Sequence, residues 1–215
     1  MLRIGKAVIF DLDGVIINSQ ELYEESLRTF IQDLGVKDVD FTRLIGMTTT
    51  KALSCINETN VLPGTISSLT QAFQETYQTA FKQSLSEENL VEGVEQFILR
   101  LATSNKRLAV ASSAARPKIE FVLDRFGLTQ YFDCVVSGYE VKKSKPAPDV
   151  FLVSASKLNV SPIDCIVIED STNGIIGAKR AGMFCIGFRN PESRDQDLTG
   201  ADCIIESFSQ IDTME

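Results

Sequence analysis

Two aspartates stand two residues apart, directly after a short apolar run near the amino terminus. The apolar run spans residues 7–10, and the sequence Asp-Leu-Asp-Gly follows it. Side chains alternate along an extended chain, so Asp11 and Asp13 are expected on one side, and Gly14 allows the backbone to turn away. Charges at the end of a buried strand are costly unless chemistry or a metal ion uses them. One aspartate is therefore a candidate nucleophile, and the other is a candidate proton donor and acceptor.

Three further polar clusters occur later in the chain, near the ends of apolar runs. They are Ser112 with Ser113, the lysine-rich loop at residues 142–145, and Glu169 with Asp170. In an open parallel sheet, ligands bind beyond the carboxyl ends of the strands. We therefore expect all of these clusters to meet the two aspartates at one edge of a sheet.

Composition limits the chemistry and the partners. The 215 residues include no histidine and no tryptophan. Imidazole bases, Ser-His-Asp triads and histidine-ligated zinc are thereby excluded, so carboxylates, hydroxyls and lysine must carry any reaction. The formal net charge of −8 argues against binding nucleic acid or an anionic membrane, since both require a basic surface. The expected partner is a small molecule.

Apolar periodicity predicts the elements that position these residues. Three helices, at residues 18–34, 48–58 and 66–85, follow the first strand with no strand between them. Asn18 and Glu21 have the spacing of a capping box at the start of the first helix. Thereafter helices and strands alternate: helices at 94–101, 119–126, 148–158 and 174–181, and strands at 108–111, 134–136, 165–168, 184–188 and 203–205.

This order of elements predicts an α/β fold with an inserted helical unit. Alternating strands and helices give a doubly wound, Rossmann-like parallel sheet with helices on both faces. The α/β core domain is expected to comprise residues 1–17 and 86–215, and an all-helical cap domain residues 18–85.

The set of motifs resembles the haloacid dehalogenase (HAD) superfamily, specifically its helical-cap phosphatases and the related β-phosphoglucomutases. The resemblance rests on D-x-D-G after the first strand, serine after the next, Lys-Pro in a later loop and Glu-Asp after a further strand. It extends over essentially the whole chain and implies phosphoryl transfer through an aspartyl-phosphate. It also implies a small phosphorylated metabolite as the partner.

The resemblance implies a role for each acidic residue. Asp11 would be the nucleophile, and Asp13 the general acid that later activates water. A hard cation is needed where phosphate meets carboxylates, and Mg²⁺ suits oxygen ligands. Its ligands would be Asp11, the backbone carbonyl of Asp13, Asp170, and Glu169 either directly or through water. The Glu169-Asp170 pair is also a candidate helix cap, and both roles can coexist.

Phosphate binding and substrate choice fall to other residues under the same resemblance. The Ser112 hydroxyl and the Ser113 amide would bind phosphoryl oxygens, and Lys145 would bridge the nucleophile and the phosphate. Cap residues would select the substrate; the candidates are Ser19, Tyr23, Gly46, Thr48 and Thr49.

Three cap positions depart from the mutase pattern. The family's mutase has histidine at the position of Tyr23, lysine at Ile45 and arginine at Thr49. Without these cations nothing obvious binds a second phosphate, so we predict a Mg²⁺-dependent phosphatase acting on a small phosphomonoester, with sugar phosphates as the leading class. The alternatives are a β-phosphoglucomutase-like phosphohexomutase and a non-catalytic phospholigand-binding protein of the same fold.

The sequence also bears on location. The apolar run before Asp11 is too short for a signal peptide, and no run approaches the length of a membrane span. The five cysteines are scattered, with no C-x-x-C motif, which favours free thiols in a reducing compartment. A cytoplasmic protein is expected; the oligomeric state is not fixed by the sequence, with a monomer favoured.

Overall fold

The computed structural model describes residues 5–44, 47–191 and 196–211. The chain divides into two compact units. One comprises Met1–Asn18 and Glu87–Glu215, and the other comprises Ser19–Ser86. Gly46, one of the predicted cap residues, and Ile45 lie outside the described residues.

The larger unit is built on a parallel sheet. Within the described ranges it has six strands: β1 Ala7–Phe10, β2 Arg107–Ser112, β3 Cys134–Ser137, β4 Cys165–Glu169, β5 Phe184–Phe188 and β6 Cys203–Ile205. All neighbours pair in parallel, in the order β3-β2-β1-β4-β5-β6. The strand order reverses beside β1, so β1 and β4 form the topological switch point at which open α/β sheets bind ligands. The predicted fold class is confirmed.

Helices occupy the connections that the sequence predicts. The described ranges contain seven α-helices: α1 Gln20–Asp33, α2 Thr49–Thr59, α3 Ile66–Ser84, α4 Val94–Thr103, α5 Arg116–Arg125, α6 Asp149–Leu158 and α7 Thr172–Arg180. The first three belong to the smaller unit, and the other four connect strands of the larger one.

The sheet has a different core on each face. On one face Ile9 lies in a buried cluster with residues of α6 and α7. On the other, Phe10 makes an edge contact with Phe97 of α4, and Phe97 stacks on Phe208. Because side chains alternate along β1, Asp11 continues the Ile9 side, toward α6 and α7.

The smaller unit has its own aromatic core. Phe73 of α3 is almost fully buried, and its ring contacts Phe30 and Tyr23 of α1 and stacks on Tyr77. Aliphatic side chains of α1 and α2 surround these rings. The three-helix pattern therefore closes a core within this unit.

The start of α1 differs from the sequence prediction. The residue that precedes α1 is Ser19, so the predicted Asn18 capping box is wrong. Instead, Asn18 Oδ1 accepts a hydrogen bond from Asn190 Nδ2 at 2.7 Å, and the same nitrogen donates to the Gly14 carbonyl at 2.8 Å. A partner 172 residues away in sequence has displaced the local cap.

All five cysteines are free thiols, as their scattered spacing predicts. None of the helices in the described parts of the chain combines the length and apolar character that a bilayer crossing requires.

The aromatic core of the smaller unit predicts a large stability loss for Phe73→Ala. Removing a fully buried ring leaves a cavity and costs about 3–5 kcal/mol. We expect the midpoint of urea unfolding, followed by circular dichroism, to move to a lower urea concentration. Val61→Ala is the matched control, since Val61 is 97% exposed. Equal midpoints for the two variants would contradict the assignment of Phe73 to a packed core.

Candidate active site

The sheet register brings three chain segments level at its carboxyl edge. Phe10 pairs with Val110 of β2 and with Ile168 of β4. The residues that follow these three, including Asp11 and Glu169, therefore lie side by side. The edge remains ordered one residue beyond β1, because the Asp11 amide donates to the Ile168 carbonyl at 3.0 Å.

Lys145 joins those three segments. Its ammonium donates to Asp11 Oδ1 at 2.6 Å, to Glu169 Oε1 at 2.5 Å and to the Ala111 carbonyl at 2.9 Å. Each of its three hydrogens thus has an acceptor. The side chains of Lys145 and Glu169 are 6% and 0% exposed, so water screens this ion pair very little.

The loop that delivers Lys145 packs closely against the serine loop. It joins β3 to α6 and contains a cis peptide bond between Lys145 and Pro146. A Cβ at Gly138 would lie 2.8 Å from Ser144 Oγ and 3.2 Å from Ser113 Cα. Glycine at this position therefore allows the two loops to approach each other.

Burial and charge act together on the acidic residues. Burial raises the pKa of Asp11 to about 7, with the Lys145 ammonium opposing the rise and the Glu169 carboxylate adding to it. Burial lowers the pKa of Lys145, but Asp11 and Glu169 outweigh it, and the net shift is upward. Lys145 consequently stays charged, and Asp11 ionises more fully if a second cation binds nearby.

Three carboxylates form a candidate metal site. Oxygen atoms of Asp11, Glu169 and Asp170 all lie within 4.8 Å of one another, and all three residues are buried. With all three carboxylates ionised and Lys145 as the cation in contact with two of them, the cluster holds two negative charges in excess. Hard oxygen donors and this charge suit a divalent cation, so these residues fit one.

Glu169 is held at both carboxylate oxygens. Its Oε2 accepts from the Ser171 amide at 3.1 Å and from the Ser171 hydroxyl at 2.8 Å, while Oε1 accepts from Lys145. The Ser171 hydroxyl in turn accepts from the Gly174 amide at 3.1 Å and so caps α7. The helix-cap alternative for Glu169 and Asp170 is therefore wrong, because the next residue performs that role.

Ser112 and Ser113 come directly after Ala111, the residue whose carbonyl accepts from Lys145. Ser112 ends β2 and is buried, and its Oγ accepts from the Ala114 amide at 3.1 Å. Ser113 is exposed at the start of the loop. The predicted phosphate-binding serines thus lie at the same sheet edge as Lys145 and Asp11.

Asp13 has a cationic partner that sequence reasoning missed. Lys118 Nζ donates to Asp13 Oδ1 at 2.7 Å. Lys118 lies in the first turn of α5, where a positive charge opposes the helix dipole. The sequence does contain a signal for this partner. Pro117 marks the start of a helix, and a lysine in the first turn of a helix is unfavourable unless an acidic group compensates it.

The described cap candidates lie at helix starts or on α1. Tyr23 of α1 shares a hydrogen bond of 2.9 Å between its hydroxyl and Thr49 Oγ1, and burial raises the pKa of its phenol. Thr48 caps α2, and Ser19 immediately precedes α1. Two of the predicted cap residues, Tyr23 and Thr49, are therefore in direct contact within the smaller unit.

The motifs and this geometry agree with comparison to known proteins. The family model for haloacid dehalogenase-like hydrolases matches residues 8–188. The chain belongs to this family. Within it, the similar proteins include both phosphatases and β-phosphoglucomutases, the group that the sequence motifs predict.

Several relatives align over nearly the full chain. β-Phosphoglucomutase of Bacillus subtilis is 33% identical over 96% of this chain and 91% of its own length. Hexitol phosphatase B of Escherichia coli is 30% identical, covering 95% and 93%. The crystal structure of CbbY from Rhodobacter sphaeroides in complex with xylulose-(1,5)bisphosphate superposes with a TM-score of 0.77 at 26% identity, covering 96% of each chain.

The contact between Glu169 and Gly174 predicts that Gly174→Ala destabilises the protein. A Cβ at this position would lie 1.8 Å from the Glu169 carboxyl carbon. Alanine alone would favour the helix by about 1 kcal/mol, but overpacking costs about 1–3 kcal/mol. We expect the Tm to fall by about 2–4 °C for each kcal/mol lost.

The matched control for this change is Asn173→Ala, at an exposed position of the same helix. It should leave the Tm close to that of the wild type. A Gly174→Ala variant as stable as the control would show that the Glu169 carboxylate can move without cost.

Proposed function

We propose that this chain, a phosphoric monoester hydrolase of the haloacid dehalogenase family, cleaves a small sugar phosphate through a phosphorylated Asp11 with the help of Mg²⁺. The observation that carries the proposal is the buried cluster of Asp11, Glu169 and Asp170 at the switch point of the sheet, with Lys145 bound to the first two. Such a cluster supplies a nucleophile, a cation site and a phosphate-binding cation together.

Asp11 is suited to nucleophilic attack. It lies at the end of the central strand β1, and its backbone amide is bound to β4. Lys145 holds one carboxylate oxygen at 2.6 Å, which fixes the orientation of the other. A carboxylate so oriented can bond to phosphorus as the bond to the leaving oxygen breaks, giving an aspartyl-phosphate.

The charge of the cluster supports a metal requirement. Asp11, Asp170 and the backbone carbonyl of Asp13 are the proposed ligands of Mg²⁺. Both oxygens of Glu169 already accept hydrogen bonds from Lys145 and Ser171, so its proposed role is to orient that lysine, with metal contact through water. Mg²⁺ bound here would neutralise charge on the transferring phosphoryl group.

The transferring phosphoryl group would meet donors from two loops. The Ser112 hydroxyl and the Ser113 amide are proposed to bind its oxygens, and Lys145 to balance its charge. All three belong to loops that converge at the carboxyl edge of the sheet. Donors held by packed backbone need little rearrangement when charge develops.

Asp13 is the proposed acid and base. Its proton would pass to the leaving oxygen while the aspartyl-phosphate forms. Its carboxylate would then take a proton from water as that water attacks phosphorus, which releases inorganic phosphate and restores Asp11. The two aspartates thus divide attack and proton transfer between them.

The cap residues support one phosphate on the substrate rather than two. Tyr23 and Thr49 stand where the mutase pattern has histidine and arginine, and they are neutral and hydrogen-bonded to each other. A hydroxyl pair suits sugar or polyol hydroxyls better than a second phosphate dianion. One of the similar proteins is named hexitol phosphatase B, and a hexitol is a polyol.

A phosphohexomutase is the second candidate. The observation that favours it is the 33% identity to β-phosphoglucomutase of Bacillus subtilis over 96% of the chain. Both reactions would share Asp11 phosphorylation and differ in the acceptor, which is water for the phosphatase and a sugar hydroxyl for the mutase.

The nucleophile assignment predicts that Asp11→Asn abolishes turnover. We expect hydrolysis of p-nitrophenyl phosphate to fall at least about 1,000-fold, because an amide cannot form the intermediate. The fold should persist, since the change keeps the side-chain volume and Glu169 still pairs with the Lys145 ammonium. Asp124→Asn, at an exposed position of α5, should keep full activity. Wild-type rates in Asp11→Asn would overturn the mechanism.

The cation site predicts that wild-type turnover depends on Mg²⁺. Removal of the ion with EDTA should abolish phosphate release, and added Mg²⁺ should restore it, because the acidic cluster would otherwise repel the substrate. If the wild type released no phosphate at any Mg²⁺ concentration, the phosphatase proposal would be overturned.

Phosphatase and mutase are distinguished by their products. The wild type is incubated with hexose 1-phosphates and a hexose bisphosphate primer and followed by ³¹P NMR. Because Tyr23 and Thr49 offer no charge to a second phosphate, we expect inorganic phosphate to form faster than the hexose 6-phosphate isomer. Faster isomer formation would favour the mutase.

A panel of sugar, polyol and nucleoside phosphates with phosphoglycolate then identifies the substrate.

A further inference from the structure

Lys118 makes an ion pair that the proposed mechanism does not yet use. Its Nζ donates to Asp13 Oδ1 at 2.7 Å, and the two side chains are 23% and 37% exposed. The surface pair between Lys6 and Asp164 has 75% and 39% exposed side chains. Water therefore screens the Lys118 pair less than an ordinary surface ion pair, which contributes little.

Both ends of this pair are fixed by packed backbone. Asp13 follows the fully buried Leu12 and precedes Gly14, whose amide donates to the Ile17 carbonyl at 2.7 Å. Lys118 precedes the fully buried Ile119 on α5, and its own amide donates to the Ala115 carbonyl at 2.9 Å. The contact thus joins two anchored segments 105 residues apart in sequence.

The position of Lys118 is unfavourable for the helix alone. The first turn of α5 has no acidic residue and carries the basic residues Arg116 and Lys118, where the helix dipole disfavours positive charge. Arg116 is compensated by Glu140 and Glu120. Lys118 is compensated by Asp13, so α5 presents this cation to the proposed acid and base.

We propose that Lys118 is a positioning residue: by binding Asp13 Oδ1, it holds the carboxyl group so that its other oxygen exchanges the proton with the leaving group. This inference rests on the proposed function, since it assigns Asp13 the proton transfer. A hydrogen bond to one oxygen restricts rotation of the whole carboxyl group and so fixes the direction of the second oxygen. Because this orientation exists before the reaction, less entropy is lost when the proton is transferred. Lys118 itself need not touch the substrate.

Two substrates of similar shape separate positioning of the acid from binding of phosphate. p-Nitrophenyl phosphate releases a stabilised phenolate that needs little protonation, whereas benzyl phosphate releases an alkoxide that must be protonated. The value of kcat/KM covers the steps through formation of the aspartyl-phosphate, so later hydrolysis does not obscure the comparison. Both are measured for the wild type and for Lys118→Met with saturating Mg²⁺.

We expect Lys118→Met to lower kcat/KM for benzyl phosphate at least about ten-fold more than for p-nitrophenyl phosphate. Lys118→Arg, which keeps the charge and the donors, should recover most of the benzyl phosphate activity. Lys157→Met removes an exposed lysine from α6 and should leave both values unchanged. Lys118→Gln keeps a polar side chain and replaces Lys118→Met if that variant does not fold.

Each other result has a distinct meaning. Equal losses on both substrates would overturn the inference, because they would show that Lys118 binds phosphate or supports the fold. No loss on either substrate would overturn it as well. A wild type that hydrolyses neither substrate would overturn the proposed function itself, and the inference with it.

Discussion

The rest of the site depends on the three hydrogen bonds that the Lys145 ammonium donates. It binds Asp11, Glu169 and the Ala111 carbonyl, which lie level at the ends of three adjacent strands. Two carboxylates in a buried place repel each other and lose hydration, and a fixed cation between them offsets part of that cost. Removing one partner from such a buried group costs about 3–5 kcal/mol.

Neighbouring features serve that contact. Ser171 binds the second oxygen of Glu169, and Gly174 leaves the space into which the carboxylate packs. The centre of the Phe151 ring lies 5.1 Å from the Lys145 ammonium. Phe151 belongs to the buried cluster on the face of the sheet that α6 and α7 cover. The sheet supplies the edge, and the loops supply the charges that meet there.

The excess of negative charge has a functional consequence. Burial raises the pKa of Asp11 to about 7 even with Lys145 beside it, so the carboxylate is only partly ionised at neutral pH on its own. A divalent cation at the acidic cluster would favour the ionised form and offset the charge of an incoming phosphate. The same arrangement that makes the site costly for the fold suits it to binding a cation and a phosphate.

The fold followed well from the sequence because its signals are local and repeated. Apolar periodicity placed strands such as Phe184–Phe188 at their observed bounds, and alternation with helices required a parallel sheet. Helix starts were less predictable. Asn18 has the right type and spacing for a cap, yet it bonds Asn190, because a distant partner competed with the local one.

The site was predictable as far as its motifs reach. Residue types and spacing alone indicated that Asp11, Asp13 and the Glu169-Asp170 pair are functional groups. Charged side chains directly after a buried strand are costly unless catalysis or metal binding uses them. The family resemblance already implied that Lys145 contacts Asp11. Only the tertiary structure decided that Lys145 also binds Glu169 and that Lys118 binds Asp13. Sequence encodes which groups a segment carries, whereas the distances between groups more than 100 residues apart arise from strand register and loop packing.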